Sequence, residues 1–297
     1  MLMKKIYLTL FGAMMMTGAL AQSVEGYHLD SIYVETGGER TSKTVYEYNA
    51  AGQQAVSYDY SYTSQVEQLV GKTENSYNDN GVQTEDKYYD YDGANWVLSS
   101  HTVYSEFNSA GLPTVAITSE LNDENPSAGL LPTTKQLFKA YYGNQPQDVE
   151  LYAWTGADWM LSATMHFDFT SWGGIDKETM TISMFGMTMT QTSTYEYDDH
   201  HMPVKLTTES SMMGTMVYIY INTYDSNGLP TKVVTQGVGG DLSTYYFWSP
   251  NGSANINTLE HARQMVNGFY DLNGRFYNGT PDQRGLYIVN GRKVIVR

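Results

Sequence analysis

One short phrase recurs along this chain and constrains its fold more than any other feature. Tyr48-Asn49-Ala50-Ala51-Gly52 is answered by Tyr77-Asn78-Asp79-Asn80-Gly81. Phe107-Asn108-Ser109-Ala110-Gly111-Leu112-Pro113-Thr114 and Tyr224-Asp225-Ser226-Asn227-Gly228-Leu229-Pro230-Thr231 follow. Tyr197-Asp198-Asp199-His200-His201-Met202-Pro203-Val204 is the same phrase with its glycine lost. Tyr142-Gly143-Asn144 and Ser171-Trp172-Gly173-Gly174 read as degraded copies in the interval between. A spacing of about 30 residues belongs to repeat architectures rather than to an enzyme built around one pocket.

A second set of turn signals falls midway between the first. It comprises Gly37-Gly38, Asp92-Gly93, the 122–132 loop, Thr155-Gly156, Phe185-Gly186, Met213-Gly214 and 237–240. Each repeat therefore reads strand, turn, strand, turn, with strands of roughly 8 to 12 residues. A longer echo supports duplication. Gly93-Ala94-Asn95-Trp96-Val97-Leu98-Ser99 returns as Gly156-Ala157-Asp158-Trp159-Met160-Leu161-Ser162, 63 residues later.

Tyrosine is the unusual residue, 26 against 9 Phe. Tyr and Thr suit a pleated surface whose rings pack across strands while the hydroxyls stay wet. Thr44, Tyr46 and Tyr48 alternate with Val45 and Glu47, but 84–91 has no clean apolar face. The fold expected is all-β. It is a long antiparallel meander of repeated β-hairpins, an extended twisted or solenoid-like sheet near solvent on both faces, followed by a small C-terminal β tail. The best helical stretch is short, 258–266. Residues 1–21 read as a signal peptide, 22–250 as the hairpin repeat domain, 251–267 as a linker and 268–297 as the tail. In the tail, strands are expected at 269–270, 285–289 and 293–296, with hairpin turns at Asn273-Gly274 and Asn290-Gly291.

Lys4 and Lys5, the apolar 6–20 and Ala19-Leu20-Ala21 have the three-part form of a secretory signal, leaving Gln22 as the mature N-terminus. Cysteine is absent, which excludes disulfides, thiol nucleophiles and thiolate metal sites. Export without disulfides fits the periplasm or surface of a Gram-negative bacterium. The chain carries 32 acidic and 17 basic residues. That balance repels a phosphate backbone and anionic membrane surfaces likewise, so nucleic acid is not an expected partner.

No residue set names a reaction. Asp198-Asp199-His200-His201 is the one dense group of metal-capable side chains. It replaces a turn, where side chains splay into solvent instead of converging on an ion. Asn78-Asp79-Asn80-Gly81 and Asp90-Tyr91-Asp92-Gly93 begin like calcium loops but have no downstream bidentate Glu. No Gly-x-Ser-x-Gly elbow is present. Cofactors and catalytic residues are therefore expected to be none. Trp154, Trp159 and Trp96 are the candidate ligand-binding residues. Trp154 and Trp159 flank one turn, and their rings offer apolar faces on which a sugar can stack.

The Tyr-Asn/Asp-x-x-Gly phrase resembles the YD-type repeats of bacterial surface and toxin-shell proteins, over most of 41–236. It departs in lacking the Arg that follows the glycine in the shell-forming group. The resemblance implies a repeat scaffold with carbohydrate or surface binding. Tyr270-Asp271-Leu272-Asn273-Gly274-Arg275, Gly285-Leu286-Tyr287-Ile288-Val289 and Arg292-Lys293-Val294-Ile295-Val296-Arg297 resemble the sorting tail of the type IX (Por) secretion system. This second resemblance implies passage through that export machinery to the cell surface or medium.

The leading functional expectation is a secreted or surface-attached, non-enzymatic repeat protein that binds a glycan or another surface partner. A glycan-active enzyme on a β scaffold is the first alternative. An outer-membrane β-barrel is the second, ranked last because Lys72, Glu74, Asp86, Lys87 and Glu106 interrupt both strand faces.

Overall fold

The computed structural model describes residues 26–122, 125–184, 187–237 and 240–251, and in the tail only the strand residues 269–270, 276–277, 285–289 and 292–296. The signal segment, the 258–266 helix, most of the linker and the two tail turns lie outside the described residues. Two compact units are present, Met1–Asn251 and Gly252–Arg297.

In the first unit the expected strands form in order. They are β1 (Tyr27–Thr36), β2 (Glu39–Tyr48), β3 (Gln54–Thr63), β4 (Val66–Tyr77), β5 (Gln83–Tyr91), β6 (Trp96–Phe107), β7 (Pro113–Leu121) and β8 (Leu130–Tyr142). The second half holds β9 (Gln145–Trp154), β10 (Trp159–Phe169), β11 (Ile175–Met184), β12 (Met187–Tyr197), β13 (Pro203–Ser210), β14 (Gly214–Tyr224), β15 (Pro230–Gln236) and β16 (Leu242–Pro250). In the tail unit β17 (Phe269–Tyr270), β18 (Phe276–Tyr277), β19 (Gly285–Val289) and β20 (Arg292–Val296) make a small sheet in the order β18-β17-β19-β20.

The open meander is corrected in one respect that changes the protein: the sheet closes. Strand β1 pairs antiparallel with β16 from Tyr27↔Pro250 to Thr36↔Leu242, and the sixteen strands form a closed barrel. An open sheet of this length would leave two unpaired edges, each a template for aggregation; closure satisfies both. The backbone N–H of Asn251 donates to the Gly26 carbonyl at the seam.

Closure makes the two faces unequal, which overturns the sheet wet on both sides. The inward face of β7–β11 buries Ala116, Phe138, Val149, Leu151, Ala163, Met165, Phe167 and Met180 as one cluster. A second cluster, Leu29, Met202, Val233 and Tyr246, gathers Tyr46, Tyr220 and Trp248 around the seam. A circular wall of about sixteen strands leaves an aqueous channel. Here the inner face instead holds Val149 and Leu206 at 2 % exposure and Met165 at 3 %. Between the clusters the lining is polar and partly paired, with Gln191 Oε1 and Asn222 Oδ1 buried without a partner among the described residues. Ser193 Oγ meets Thr208 Oγ1 at 3.2 Å and Thr102 Oγ1 meets Thr118 Oγ1 at 3.0 Å.

The recurring phrase builds one rim. Asn49 Oδ1 accepts from the N–H groups of Ala51 and Gln53, and Asn78, Asn108, Asp198 and Asp225 repeat the pattern. Three residues on, glycine takes the left-handed conformation: φ is 78° at Gly52, 76° at Gly81 and 78° at Gly111. His201 adopts the same conformation, φ 62°, where the glycine is lost.

The tyrosine before the turn has its own task. Tyr48 and Tyr77 donate through their hydroxyls to the Leu29 and Gln54 carbonyls, each at 2.8 Å, and Tyr197 donates to Ile175 at 2.5 Å. These latches tie three of the turns to the strand before each; Tyr224 donates to the Asp198 carboxylate instead, and Phe107 has no hydroxyl. Desolvation pushes the Tyr48 and Tyr197 hydroxyls up to about 12, so they remain donors at any physiological pH.

Gly111→Ala isolates the backbone requirement, because an added Cβ meets nothing within 4 Å. The left-handed conformation alone is expected to cost about 1–2 kcal/mol, read as a lower urea midpoint with an unchanged slope.

Candidate functional site: the outer wall

Alternation along each strand sends one set of side chains into the barrel and the other outward. The outward set carries most of the ionisable residues. On β4–β6, Lys72 pairs with Glu74 at 2.5 Å, Lys87 with Glu85 at 2.6 Å, and His101 lies 3.5 Å from Glu85. On β8–β10, Lys139 lies 3.7 Å from Glu150, and His166 sits between Asp148 at 2.6 Å and Asp168 at 3.3 Å. Hydrogen bonding to Asp148 raises the His166 pKa above its ordinary value. On β12 and β13, Lys205 pairs with Glu196 at 2.6 Å.

The three candidate tryptophans all belong to this outer face. Trp154 and Trp159 stand directly opposite each other across the β9–β10 hairpin, ring centroids 5.1 Å apart. Trp96 faces Tyr91 across the β5–β6 hairpin at 4.8 Å. The equivalence extends further than the Gly-Ala-x-Trp segment shows. Lys72 lies over Tyr89 at 4.7 Å and Trp96 at 4.9 Å; Lys135 lies over Tyr152 at 4.6 Å and Trp159 at 5.2 Å. Every member of the second ladder stands 63 residues after its counterpart, Tyr91 to Trp154 included. The two lysines were missed in the motif, although the same offset applied to Lys72 finds Lys135. Cation–π contact occupies part of each ring face. The ladders therefore cover the wall and are only partly open to a ligand.

The metal-capable group at 198–201 is used internally. Asp198 accepts from the Met202 and His200 N–H groups, from Asn222 and from the Tyr224 hydroxyl. Burial works to raise its pKa, but these four donors outweigh that and hold it below the usual carboxylate range. His200 stacks on Tyr224 at 4.1 Å and His201 on Trp172 at 4.2 Å.

Three carboxylates point the other way, into the barrel. Asp59 accepts from Thr44 Oγ1 at 2.8 Å and Asp86 from the Tyr104 hydroxyl at 3.1 Å. Glu178 is 7 % exposed and belongs to no ion pair among the described residues. Desolvation raises all three pKa values. A raised folded-state pKa means that the folded chain binds more protons than the unfolded one, so stability falls as pH rises from the ordinary carboxylate range through the folded value. Glu178→Gln is therefore expected to raise the melting temperature at pH 7.5, with the gain shrinking toward pH 4.

No protein-family model matches this sequence, and no curated protein matches it. Solved structures resemble it weakly. A porin-like protein from Bacteroides uniformis is 11% identical over 74% of this chain and 96% of its own, with a TM-score of 0.49. A porin-like protein from Bacteroides vulgatus is 10% identical over 75% and 98%, with a TM-score of 0.38. A DUF3836 family protein from Parabacteroides distasonis is 15% identical over 30% and 86%, with a TM-score of 0.25. The barrel stands on the chain's own strand pairing. A closed antiparallel wall fits the outer-membrane β-barrel alternative better than the open binding scaffold.

Proposed function

We propose that this chain is a non-enzymatic β-barrel associated with the bacterial outer membrane, with its lumen occupied by its own side chains and its working surface on the outside. The observation that carries the reading is the closed sixteen-stranded wall whose inner face buries two apolar clusters. Porins have the reverse polarity, with water inside and an apolar band outside. Facing lipid at the bilayer midplane, outward lysines such as Lys72, Lys87 and Lys139 would each cost about 2–4 kcal/mol. The ion-paired arcs are therefore assigned to water.

A barrel embedded across the membrane is the second reading, and closure itself favours it. Fractionation separates the two. The proposal expects the protein in the outer-envelope fraction, released by alkaline carbonate, with no conductance steps in a planar bilayer. Retention in the carbonate pellet together with channel steps would establish the embedded barrel instead. Export through the tail belongs to the proposal as well: a chain ending at Asn251 should stay in the periplasm as a folded barrel. A glycan remains the proposed occupant for the Trp154–Trp159 and Trp96 ladders, tested by loss of binding in Trp159→Ala at unchanged melting temperature.

A further inference from the structure

The outer wall is not uniform. Eleven of its strands point charged side chains outward, whereas β14, β15 and β16 point out one lysine and no acid. Their outward residues include Val217, Ile219 and Ile221 on β14, Lys232 and Val234 on β15, and Tyr245 and Phe247 on β16, with Thr215, Thr223, Gln236 and Ser243 as the polar members of the same face. Val217, Ile219, Ile221 and Phe247 are 39–49 % exposed although they lie on regular strands. Inner-face packing does not explain them, because their neighbours Tyr220, Val233 and Tyr246 fill that layer. Past Thr215, the β13–β14 turn exposes Met212 and Met213, at 68 % and 58 %.

We propose that this arc is a membrane-contact face, on which the barrel rests against a phospholipid leaflet bearing anionic headgroups; the proposal deepens the envelope reading and rests on it for its setting. Three features select this occupant. Strands β14–β16 carry no outward acid of their own in a chain of net charge −15, the neighbouring one being Glu35 on β1, which accepts from the Tyr245 hydroxyl at 3.0 Å, so anionic headgroups meet less repulsion here than on the ion-paired arcs. Lys232 lies 4.8 Å over the Tyr245 ring, and Arg40 4.5 Å over Tyr33, which stacks on Tyr245 at 4.5 Å. Cations held on aromatic rings beside branched aliphatics are the composition of a headgroup boundary. The third feature is length. Bounded by the outward Thr215 and Thr223, the apolar run from Val217 to Ile221 spans about 13 Å at roughly 3.3 Å per residue, against about 30 Å for a hydrocarbon core. That is enough to dip into one leaflet and too little to cross two.

The test is co-sedimentation of the intact mature protein with vesicles of phosphatidylethanolamine, with and without phosphatidylglycerol. Ile219→Ser with Ile221→Ser is expected to weaken binding at least about tenfold while circular dichroism stays unchanged. Lys232→Gln should weaken it on phosphatidylglycerol vesicles and leave the neutral ones unaffected. Val103→Ser, on the ion-paired arc, should leave both unchanged. No binding by the intact protein overturns the proposal, as does equal loss in the Val103 variant. A dimer in sedimentation velocity that the double isoleucine variant abolishes, without vesicle binding, assigns the arc to a second copy and also overturns it. The fractionation described above is independent of these outcomes: a protein in the envelope fraction that ignores vesicles sinks the contact face alone.

Discussion

Phe167→Ala is expected to destabilise the barrel by about 3–5 kcal/mol, the range for removing a buried aromatic ring. Phe167 is 8 % exposed on the inward face of β10, with Phe169 at 6.3 Å and Met165, Met180 and Val149 in the same cluster. Its hairpin neighbours cannot collapse into the space without bending a wall held in register on both sides by β9 and β11. The loss should appear as a lower urea midpoint with little change in slope. The measurement also reports on the lumen. In a water-filled barrel the ring already faces solvent, and its removal costs little. A change within about 0.5 kcal/mol, the range of surface substitutions, would contradict a packed inner face.

Deleting Leu242–Pro250 should have a larger effect, because it removes β16 and with it both partners of the seam. Strand β1 loses the register from Tyr27↔Pro250 to Thr36↔Leu242, and β15 loses Lys232↔Tyr245 to Thr235↔Leu242. Two exposed edges then flank a sheet rich in Tyr, Thr and Val, which is the composition of an aggregating template. The deletion variant is expected to pellet or to form large oligomers on size exclusion. A chain ending at Asn251, which retains β16, should remain monomeric, since the tail belongs to a separate unit. A monomeric deletion variant with the parent's near-ultraviolet spectrum would mean that β16 is an appendage.

The hairpins were legible in the sequence, and closure was not. Asn49, Asn78 and Asp225 announce their turns because a side-chain acceptor three residues before a left-handed glycine is a local device. The 63-residue echo placed Trp96 and Trp159 at matching hairpin positions, and the register agrees. Closure depends on β1 recognising β16, more than 200 residues away, through backbone groups that every strand possesses. Nothing in Tyr27–Thr36 distinguishes that partner. The polarity of the wall was hidden by tyrosine. Tyr46 and Tyr246 face inward, Tyr33 and Tyr245 face outward, and one residue type serves both faces. Inside, hydroxyl pairs such as Ser193–Thr208 satisfy one another, so an inward strand reads as polar and the expected apolar stripe never appears. The outward lysines of the ladders were equally silent alone; only their rings give them a place.

Closure between the first and last strands can be read in a single cross-linking measurement. Glu35 and Ser243 are directly paired across the seam and partly exposed. The chain has no cysteine of its own, so Glu35→Cys with Ser243→Cys introduces the only two thiols. Paired strand residues have Cβ atoms about 4.5–5.5 Å apart, close to the reach of a disulfide. A second variant, Thr207→Cys with Val217→Cys, tests a pair within the β13–β14 hairpin, where cross-linking does not require closure. The closed barrel predicts that mild oxidation links both pairs within one chain, seen as faster migration on a non-reducing gel that reductant reverses. An intramolecular link in the hairpin variant with none in the Glu35–Ser243 variant would contradict it, and would return the molecule to an open sheet.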